Sequence, residues 1–173
     1  MNPVTDVHIR SERPGDEDAI YELTARAFAP MPFADGDEQE LVGKLRDAGA
    51  LTLSLVVEHA NEIVGHVAFT PATTADGSNG WYALGPVSVA PEWQRRGIGT
   101  LLIEHGLAQL RDRVANGCVL VGDPAYYARF GFRCVPHLAP DSEPAEYYQR
   151  LALADDAPEI SVGFHPLFHG DHA

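Results

Sequence analysis

The pattern of apolar and polar positions predicts two helices near the N-terminus, after a short alternating strand at residues 7–10. The first helix begins near Pro14, with acidic residues in its first turn, where the helix dipole favours negative charge. The second begins near Asp37 and ends at Gly49. The apolar positions at helical spacing are Ile20, Leu23 and Ala27 in the first helix and Leu41, Val42 and Leu45 in the second.

Strands follow these helices. In residues 51–57 a leucine or valine stands at every second position, so one face of this strand is predicted to be buried. Residues 63–70 are predicted as its antiparallel partner, and residues 71–80 form a polar loop. Residues 81–89 are predicted as the next strand, which Gly85 and Pro86 interrupt.

A long apolar helix from Gln94 to about Val114 is predicted to be deeply buried, and residues 118–121 to form a short buried strand. Together with strand 81–89 they make a βαβ unit with a parallel strand pair. The antiparallel pairs before this unit make the sheet mixed, so the predicted fold class is α/β, or α+β by a stricter label. The later elements are predicted as a short helix from Pro124 to Gly131 and strands at 132–135, 147–153 and 160–164.

The composition is that of an ordinary globular chain. We expect its 173 residues to form one domain, residues 1–173, since 45% are hydrophobic and 21% charged. No apolar run reaches the roughly 18 residues of a membrane span, and the N-terminus lacks the regions of a signal peptide, so we expect a cytoplasmic protein. Cys118 and Cys134 are predicted as free, buried thiols, with a disulfide as the alternative.

The net charge of -13 predicts that the protein binds neither nucleic acid nor an anionic membrane. Residues 93–133 depart from this acidity, with six arginines and three acidic residues. A basic segment in an acidic chain suits an anionic cofactor beside a cationic substrate, whereas solvated helix arginines are the alternative. The sequence leaves the oligomeric state open, a homodimer included.

Residues 94–99, QRRGIG, follow a strand and open a helix. Free N–H groups at a helix N-terminus bind anions, glycines let phosphate oxygens approach the backbone, and Arg95 and Arg96 add charged donors. A Walker loop requires a lysine where Thr100 stands, and a dinucleotide fingerprint requires a glycine where Leu102 stands. The remaining alternative is a glycine-rich helix start without a ligand.

The spacing Q-x-x-G-x-G resembles the acetyl-coenzyme A pyrophosphate loop of the GNAT superfamily of N-acetyltransferases, and the strand, turn and helix around it match that family's arrangement. Residues 122–132, GDPAYYARFGF, are similar to its second signature. The paired tyrosines and residues 146–153 and 164–168 resemble the YhbS-like subgroup. The resemblance covers nearly the whole chain. It implies a mixed, mostly antiparallel central sheet with helices on both faces and a splayed strand pair.

The resemblance also implies a function, the transfer of an acetyl group from acetyl-CoA to an amine of a small molecule or protein by direct attack. In the family, the splayed strands form a notch in which backbone groups at Val87, Ser88 and Val89 pair with pantetheine, and an ordinary edge-strand bulge is the alternative. The resemblance assigns the rest of the cofactor to the loop residues Gln94, Arg95, Arg96, Gly97, Ile98, Gly99 and Thr100.

Tyr127 is the candidate general acid, because it lies five residues before Phe132, where the family places its tyrosine. A phenol with a pKa of about 10 is a reasonable proton donor to a thiolate. Tyr126 points in another direction on the same short helix. For either tyrosine the alternative is a core aromatic with a satisfied hydroxyl.

The general base is left open. Many relatives place an acidic residue on the strand before the loop, but residues 83–86 contain none. His66 on the preceding strand and a water molecule are the candidates, and a histidine satisfied within the sheet is an equal alternative. The acidic run of Asp35, Asp37, Glu38 and Glu40 suits a cationic amine, or is a set of exposed helix-start charges.

The histidines near the C-terminus, His165, His169 and His172, match no tight metal-ligand spacing, so we expect no metal. Two further interpretations stay open. One is a non-catalytic acyl-CoA-binding sensor or partner module, which the missing base leaves open although Tyr127 and the complete loop favour an enzyme. The other is an enzyme that uses a different acyl donor.

Overall fold

The computed structural model describes residues 6–31, 34 and 36–169. Its strands are β1 (Val7–Ser11), β2 (Leu53–His59), β3 (Glu62–Pro71), β4 (Thr73–Thr74), β5 (Trp81–Val89), β6 (Gly117–Val121), β7 (Arg133–Cys134), β8 (Tyr148–Ala152) and β9 (Val162–Gly163). Seven of them form one sheet in the order β1-β2-β3-β5-β6-β8-β7, and β4 pairs with β9. Within the large sheet only the β5–β6 pair is parallel. The mixed, mostly antiparallel sheet predicted from the sequence is therefore confirmed.

The α-helices are α1 (Glu17–Phe28), α2 (Glu38–Asp47), α3 (Ile98–Asp112) and α4 (Pro124–Tyr127). Neighbouring residues of β3 show that helices cover both faces of the sheet. Gly65 faces α3, because a Cβ built there would lie 2.6 Å from Cγ2 of Ile98. On the opposite face Val56, which pairs with His66, packs against residues of α1 and α2. No helix in the described part of the chain has the length and apolarity that a membrane crossing requires.

The C-terminal segment is fastened to the sheet by a second buried cluster, which includes Trp81, Tyr148, Val162 and Phe164. The Tyr148 hydroxyl donates a hydrogen bond of 2.6 Å to the Val162 carbonyl. The chain beyond β9 is thus held beside β5 and β8, in position to contribute side chains to a site at the end of these strands.

Several predicted boundaries shift in the structure. The strand predicted at 51–57 begins at Leu53, because residues 50–52 form a hydrogen-bonded turn after α2. The strand predicted at 160–164 is reduced to β9 and pairs with β4, inside the predicted polar loop. The two cysteines are free, as expected, but the prediction of two buried thiols is wrong for Cys134, which is exposed on the edge strand β7.

The splayed strand pair lies between β5 and β6. These strands pair only from Trp81 to Ala83, opposite Gly117 to Val119. Beyond Ala83, β5 continues along β3, whereas the last residues of β6 pair only with β8. The peptide between Gly85 and Pro86, where β5 leaves its neighbour, is cis. The register of β3 against β5 also shifts here, so the bulge considered as an alternative accompanies the gap.

Candidate functional site

A cavity of about 830 Å³ opens where β5 and β6 separate. One wall is the end of β5 and another is the loop before α3. Around them lie the end of α1, the start of α2, the end of α4 with the residues that precede this helix, and the C-terminal segment. Of the predicted site residues, Val87, Val89, Gln94, Arg95 and Tyr127 line this cavity.

Backbone groups of β5 face the gap between β5 and β6. The Ala90 N–H donates a hydrogen bond of 2.9 Å to the Val64 carbonyl of β3. Because the backbone groups of successive residues in an antiparallel pair point alternately toward and away from the partner strand, those of Ser88 point toward β3. The backbone groups of Val87 and Val89 therefore point toward the gap. The expectation of unpaired backbone at Ser88 is therefore wrong. Ser88 pairs with His66 of β3, and the Ser88 side chain is buried.

The loop before α3 reverses direction through two left-handed residues, Arg95 with φ 65° and Gly97 with φ 86°. The Gln94 side-chain amide donates to the Val89 carbonyl at 3.1 Å and holds the loop against β5. Gly97 is the N-cap of α3, so the N–H groups of Ile98 and the next residues have no carbonyl one turn before them. These donors form a ready anion site beside the cavity.

The other loop residues have distinct surroundings. The Arg96 guanidinium lies 4.9 Å from the Trp93 ring centroid. Ile98 is buried against β3, so only its backbone is available to a ligand. Gly99 leaves room for a neighbour, because a Cβ there would lie 3.1 Å from the Tyr126 hydroxyl oxygen. Thr100 is half-buried in the first turn of α3.

The two tyrosines of α4 form a second wall. Asp123 caps this helix by accepting a 3.0 Å hydrogen bond from the Ala125 N–H. The ring of Tyr127 lies over Gly122, where a Cβ would stand 2.6 Å from the ring, and packs edge-on against Tyr126 at 5.0 Å. Burial raises the pKa of the Tyr127 phenol well above its usual range, and the nearby Tyr126 and Asp123 raise it further. Tyr127 therefore keeps its proton at neutral pH.

His66 does not line the cavity. It is fully buried on β3, with Nε2 2.8 Å from the Ser54 hydroxyl, which donates to Glu12 at 2.6 Å. Arg46 closes this chain of contacts with two hydrogen bonds to Glu12. Burial lowers the pKa of His66 to about 4, partly offset by Glu12. This arrangement favours the structural interpretation of His66 over its role as a general base.

Part of the cavity lining is apolar, and the sequence did not predict that its residues belong to the site. It consists of Phe28, Met31, Leu41, Phe164 and Phe168. These residues come from the end of α1, from α2 and from the C-terminal segment. The sequence marked residues 164–168 only by their resemblance to a family subgroup, and it is the fold that brings these three segments together.

The acidic residues at the start of α2 have different surroundings in the structure. Asp37 and Glu38 line the cavity, whereas Glu40 accepts a hydrogen bond from Tyr21 at 2.6 Å. Asp35 and His172 lie outside the described residues. Within the described ranges no group of three or more histidine, cysteine or acidic residues is placed to hold a metal ion.

Comparison with known proteins identifies close relatives. The model of the Acetyltransferase (GNAT) family matches residues 17–132. The uncharacterized N-acetyltransferase YhbS of Escherichia coli K12 is 34% identical over 155 residues, which cover 86% of this chain and 89% of YhbS.

Two solved structures share both fold and sequence with the chain. One is a GNAT family acetyltransferase from Brucella melitensis in complex with acetyl-CoA, 46% identical with a TM-score of 0.83, covering 94% of this chain and 97% of that one. The other is E. coli YhbS in complex with CoA, 31% identical with a TM-score of 0.85, covering 98% and 95%.

Proposed function

The chain belongs to the GNAT acetyltransferase family, and we propose that it transfers the acetyl group of acetyl-CoA to an amine by direct attack. The observation that carries this proposal is the gap between β5 and β6, which opens into a cavity that extends to Gln94 and Arg95, in the loop just before the free N–H groups of α3. The relative from Brucella melitensis, 46% identical, was crystallised with acetyl-CoA.

The residues of the cavity fit acetyl-CoA. The first-turn N–H groups of α3 suit a pyrophosphate, together with Arg95, which lines the cavity, and Arg96 in the same loop. The backbone groups of Val87 and Val89 that face the gap suit the amides of pantetheine, in the manner of an added strand. Ser88 contributes to this wall only by pairing with β3, which keeps its two neighbours turned toward the gap.

The bound cofactor supplies the thioester whose acetyl group the amine accepts. In the balanced reaction an N–C bond forms, the C–S bond breaks, the amine nitrogen loses one proton and the sulfur gains one. The Val87 N–H is the candidate donor to the carbonyl oxygen, because it faces the gap on a fixed strand. Tyr127, which stays protonated, is the candidate proton donor to the sulfur.

The amine must be neutral when it attacks. Strand β5 contains no acidic residue, and His66 is fully buried and does not line the cavity. We therefore propose that water in the open cavity takes the proton of the amine. The acidic side chains of Asp37 and Glu38 support a cationic acceptor, since they draw a protonated amine toward the cavity.

The proposal is tested by mixing the protein with acetyl-CoA and a panel of amines and following release of the free thiol. We expect thiol release that depends on the amine, with an acetylated product of matching mass. A measured dissociation constant for CoA serves as the control for folded protein. Tight CoA binding without amine-dependent thiol release across the panel would contradict the proposal and support the sensor interpretation.

A further inference from the structure

The segment that carries Tyr127 leaves the sheet on one side of β8 and returns to it on the other. It departs from β6 after Val121, forms α4 and a short helical turn, and rejoins the sheet as β7 at Arg133. Strand β8 lies between β6 and β7 and is antiparallel to both. The segment therefore crosses β8, and we call residues 122–132 the crossover.

Gln149 occupies the part of β8 that lies between the two ends of the crossover. Its backbone is in register with Leu120 of β6 on one side and with Cys134 of β7 on the other. Directly opposed residues of neighbouring strands share a face of the sheet, so the Gln149 side chain lies on the same face as that of Leu120. Leu120 belongs to the buried cluster against which Tyr127 packs, so this is the face that the crossover covers.

The Gln149 amide holds the first residue of the crossover. Its Nε2 donates a hydrogen bond of 2.9 Å to the Gly122 carbonyl and one of 3.3 Å to the Tyr147 carbonyl. The Gly122 N–H donates to the same Tyr147 carbonyl at 3.1 Å. Both polar backbone groups of Gly122 are thus tied to the start of β8, and one of these ties is a side chain that is fully buried.

Gly122 is also the residue on which the Tyr127 ring packs, since a Cβ there would lie 2.6 Å from the ring. Helix α4 has only four residues, and a helix so short has little stability of its own. The position of Tyr127 in the cavity wall therefore depends on the contacts that hold the crossover, and the Gly122 contact lies directly against its ring.

Packing alone does not account for an amide at position 149. The Gln149 Oε1 atom is buried and has no hydrogen-bond partner in the described part of the chain. A buried polar atom without a partner costs free energy, and a methionine of similar length would fill the space without that cost. The amide therefore suits a requirement for the N–H donors that fix Gly122.

We propose that Gln149 is a positioning residue for acetyl transfer, which acts through Gly122 to fix the ring of Tyr127 in the wall of the cavity. This inference rests on the proposed function, because Tyr127 donates a proton only if the chain transfers an acetyl group. The hold of Gln149 on the crossover is a separate property, which is measured without turnover.

The Gln149→Met variant removes the N–H donors and keeps the length of the side chain. We expect kcat for thiol release to fall about tenfold to a hundredfold, because small displacements of a reacting group are costly, while the dissociation constant of CoA changes by less than about twofold. Fluorine NMR of protein labelled with 3-fluorotyrosine follows Tyr127 directly. Its resonance is identified by its absence in Tyr127→Phe, and we expect it to shift in Gln149→Met.

The Gln149→Glu variant provides a rescue that depends on pH. A protonated carboxyl group can donate to the Gly122 carbonyl and a carboxylate cannot, and burial raises the pKa of a carboxyl group. We expect the ratio of its kcat to that of the wild type to rise as the pH falls from about 8.5 to about 6. The same ratio for Gln149→Met should stay constant over this range.

Val56→Ala is the control for a general loss of stability, because it truncates a fully buried side chain that packs between β2 and the helices α1 and α2. It should leave kcat and the Tyr127 resonance as in the wild type. An equal fall of kcat in Val56→Ala and Gln149→Met would overturn the inference. Wild-type kcat in Gln149→Met, or a fall of kcat without a change of the Tyr127 resonance, would overturn it as well.

The two readouts also separate this inference from the proposed function. A Tyr127 resonance that shifts in Gln149→Met, in a protein whose wild type releases no thiol with any amine, contradicts acetyl transfer and supports the hold of Gln149 on Tyr127. Amine-dependent thiol release that is the same in the wild type and in Gln149→Met supports acetyl transfer and contradicts the role of Gln149.

Discussion

Tyr126 and Tyr127 are adjacent in sequence but have different surroundings. The Tyr126 hydroxyl lies at Gly99, and the Arg129 guanidinium stands 4.3 Å from its ring centroid. Tyr127 is held between Gly122 and the edge of Phe132, where burial raises the pKa of its phenol. Tyr126 therefore belongs with the loop that suits the phosphates, and Tyr127 with the gap between the strands.

The Tyr127→Phe variant tests the proton-donor role. It removes the hydroxyl and keeps the ring that packs on Gly122, so we expect kcat to fall by about 10² to 10⁴ while the dissociation constant of CoA changes little. Tyr126→Phe is the matched control, and we expect its kcat to stay within a few-fold of the wild type. Thiol-release kinetics and calorimetry measure the two quantities. Unchanged turnover in Tyr127→Phe would remove this residue from the mechanism.

At the scale of elements, the site depends on how closely α3 approaches β3. Two glycines permit this contact: Gly65 meets Ile98 in the first turn of the helix, and Gly106 meets the ring of Phe69 further along. The N–H groups that suit the pyrophosphate belong to the same first turn. The placement of the anion site is therefore set by packing beneath the loop as well as by the loop itself.

The Gly65→Ala variant tests this dependence. Its Cβ would lie 2.6 Å from Cγ2 of Ile98 and 3.1 Å from Cδ1 of Leu102, so the start of α3 must move. We expect the free energy of unfolding to fall by about 1–3 kcal/mol and CoA to bind more weakly. Urea unfolding and calorimetry measure these effects.

Gly43→Ala provides the control for this variant. A Cβ at Gly43, in the middle of α2, meets nothing within 4 Å, so the substitution should raise the free energy of unfolding by about 0.5–1 kcal/mol. CoA affinity should stay as in the wild type. If Gly65→Ala retained full CoA affinity despite its loss of stability, the anion site would not depend on this contact.

The features of the site that could be predicted from the sequence are those that depend only on neighbouring residues in the chain. A left-handed residue before a helix favours glycine, as at Gly97, and the break at Gly85 and Pro86 marks where β5 leaves its neighbour. The same local patterns predicted the bounds of β5. They could not predict that Ser88 turns toward β3, because this depends on the register of the neighbouring strand.

The apolar part of the cavity could not be predicted for a different reason. Phe28 and Phe168 come from opposite ends of the chain, and each alone has the appearance of an ordinary core residue. They line the same cavity because β9 pairs with β4 and the Tyr148 hydroxyl binds the Val162 carbonyl, which are contacts between distant segments. Sequence periodicity describes which side of an element is buried, not which other element covers it.

At the scale of the whole molecule, a partly buried chain of polar contacts connects three elements and the segment after β1. His66 of β3 contacts Ser54 of β2, Ser54 donates to Glu12, and Glu12 pairs with Arg46 of α2 at 2.7 Å. The hydrogen bonds from Arg46 and Ser54 lower the pKa of Glu12 against the opposing effect of burial. Because His66 is fully buried, the folded protein holds its imidazole neutral.

This neutral histidine makes the stability of the whole protein depend on pH. The pKa of His66 is lowered to about 4 in the folded state, against 6.5 for the ordinary side chain, so the unfolded chain binds this proton more tightly. Stability is then complete above pH 6.5 and is lost as the pH falls toward 4. Between pH 7.5 and pH 5 the loss amounts to about 2 kcal/mol, at 1.36 kcal/mol for each pKa unit.

Urea unfolding of the wild type and of His66→Gln at pH 7.5, 6.5, 5.8 and 5 measures this loss. The pH range lies above the ordinary pKa of Glu12, 4.5, and Asp16, 3.8, so these paired carboxyl groups contribute little to the change. We expect the wild type to lose about 2 kcal/mol more than the variant, whatever the cost of the substitution at pH 7.5. Parallel curves for the two proteins would mean that His66 takes up a proton in the folded state, and would reopen its role as a base.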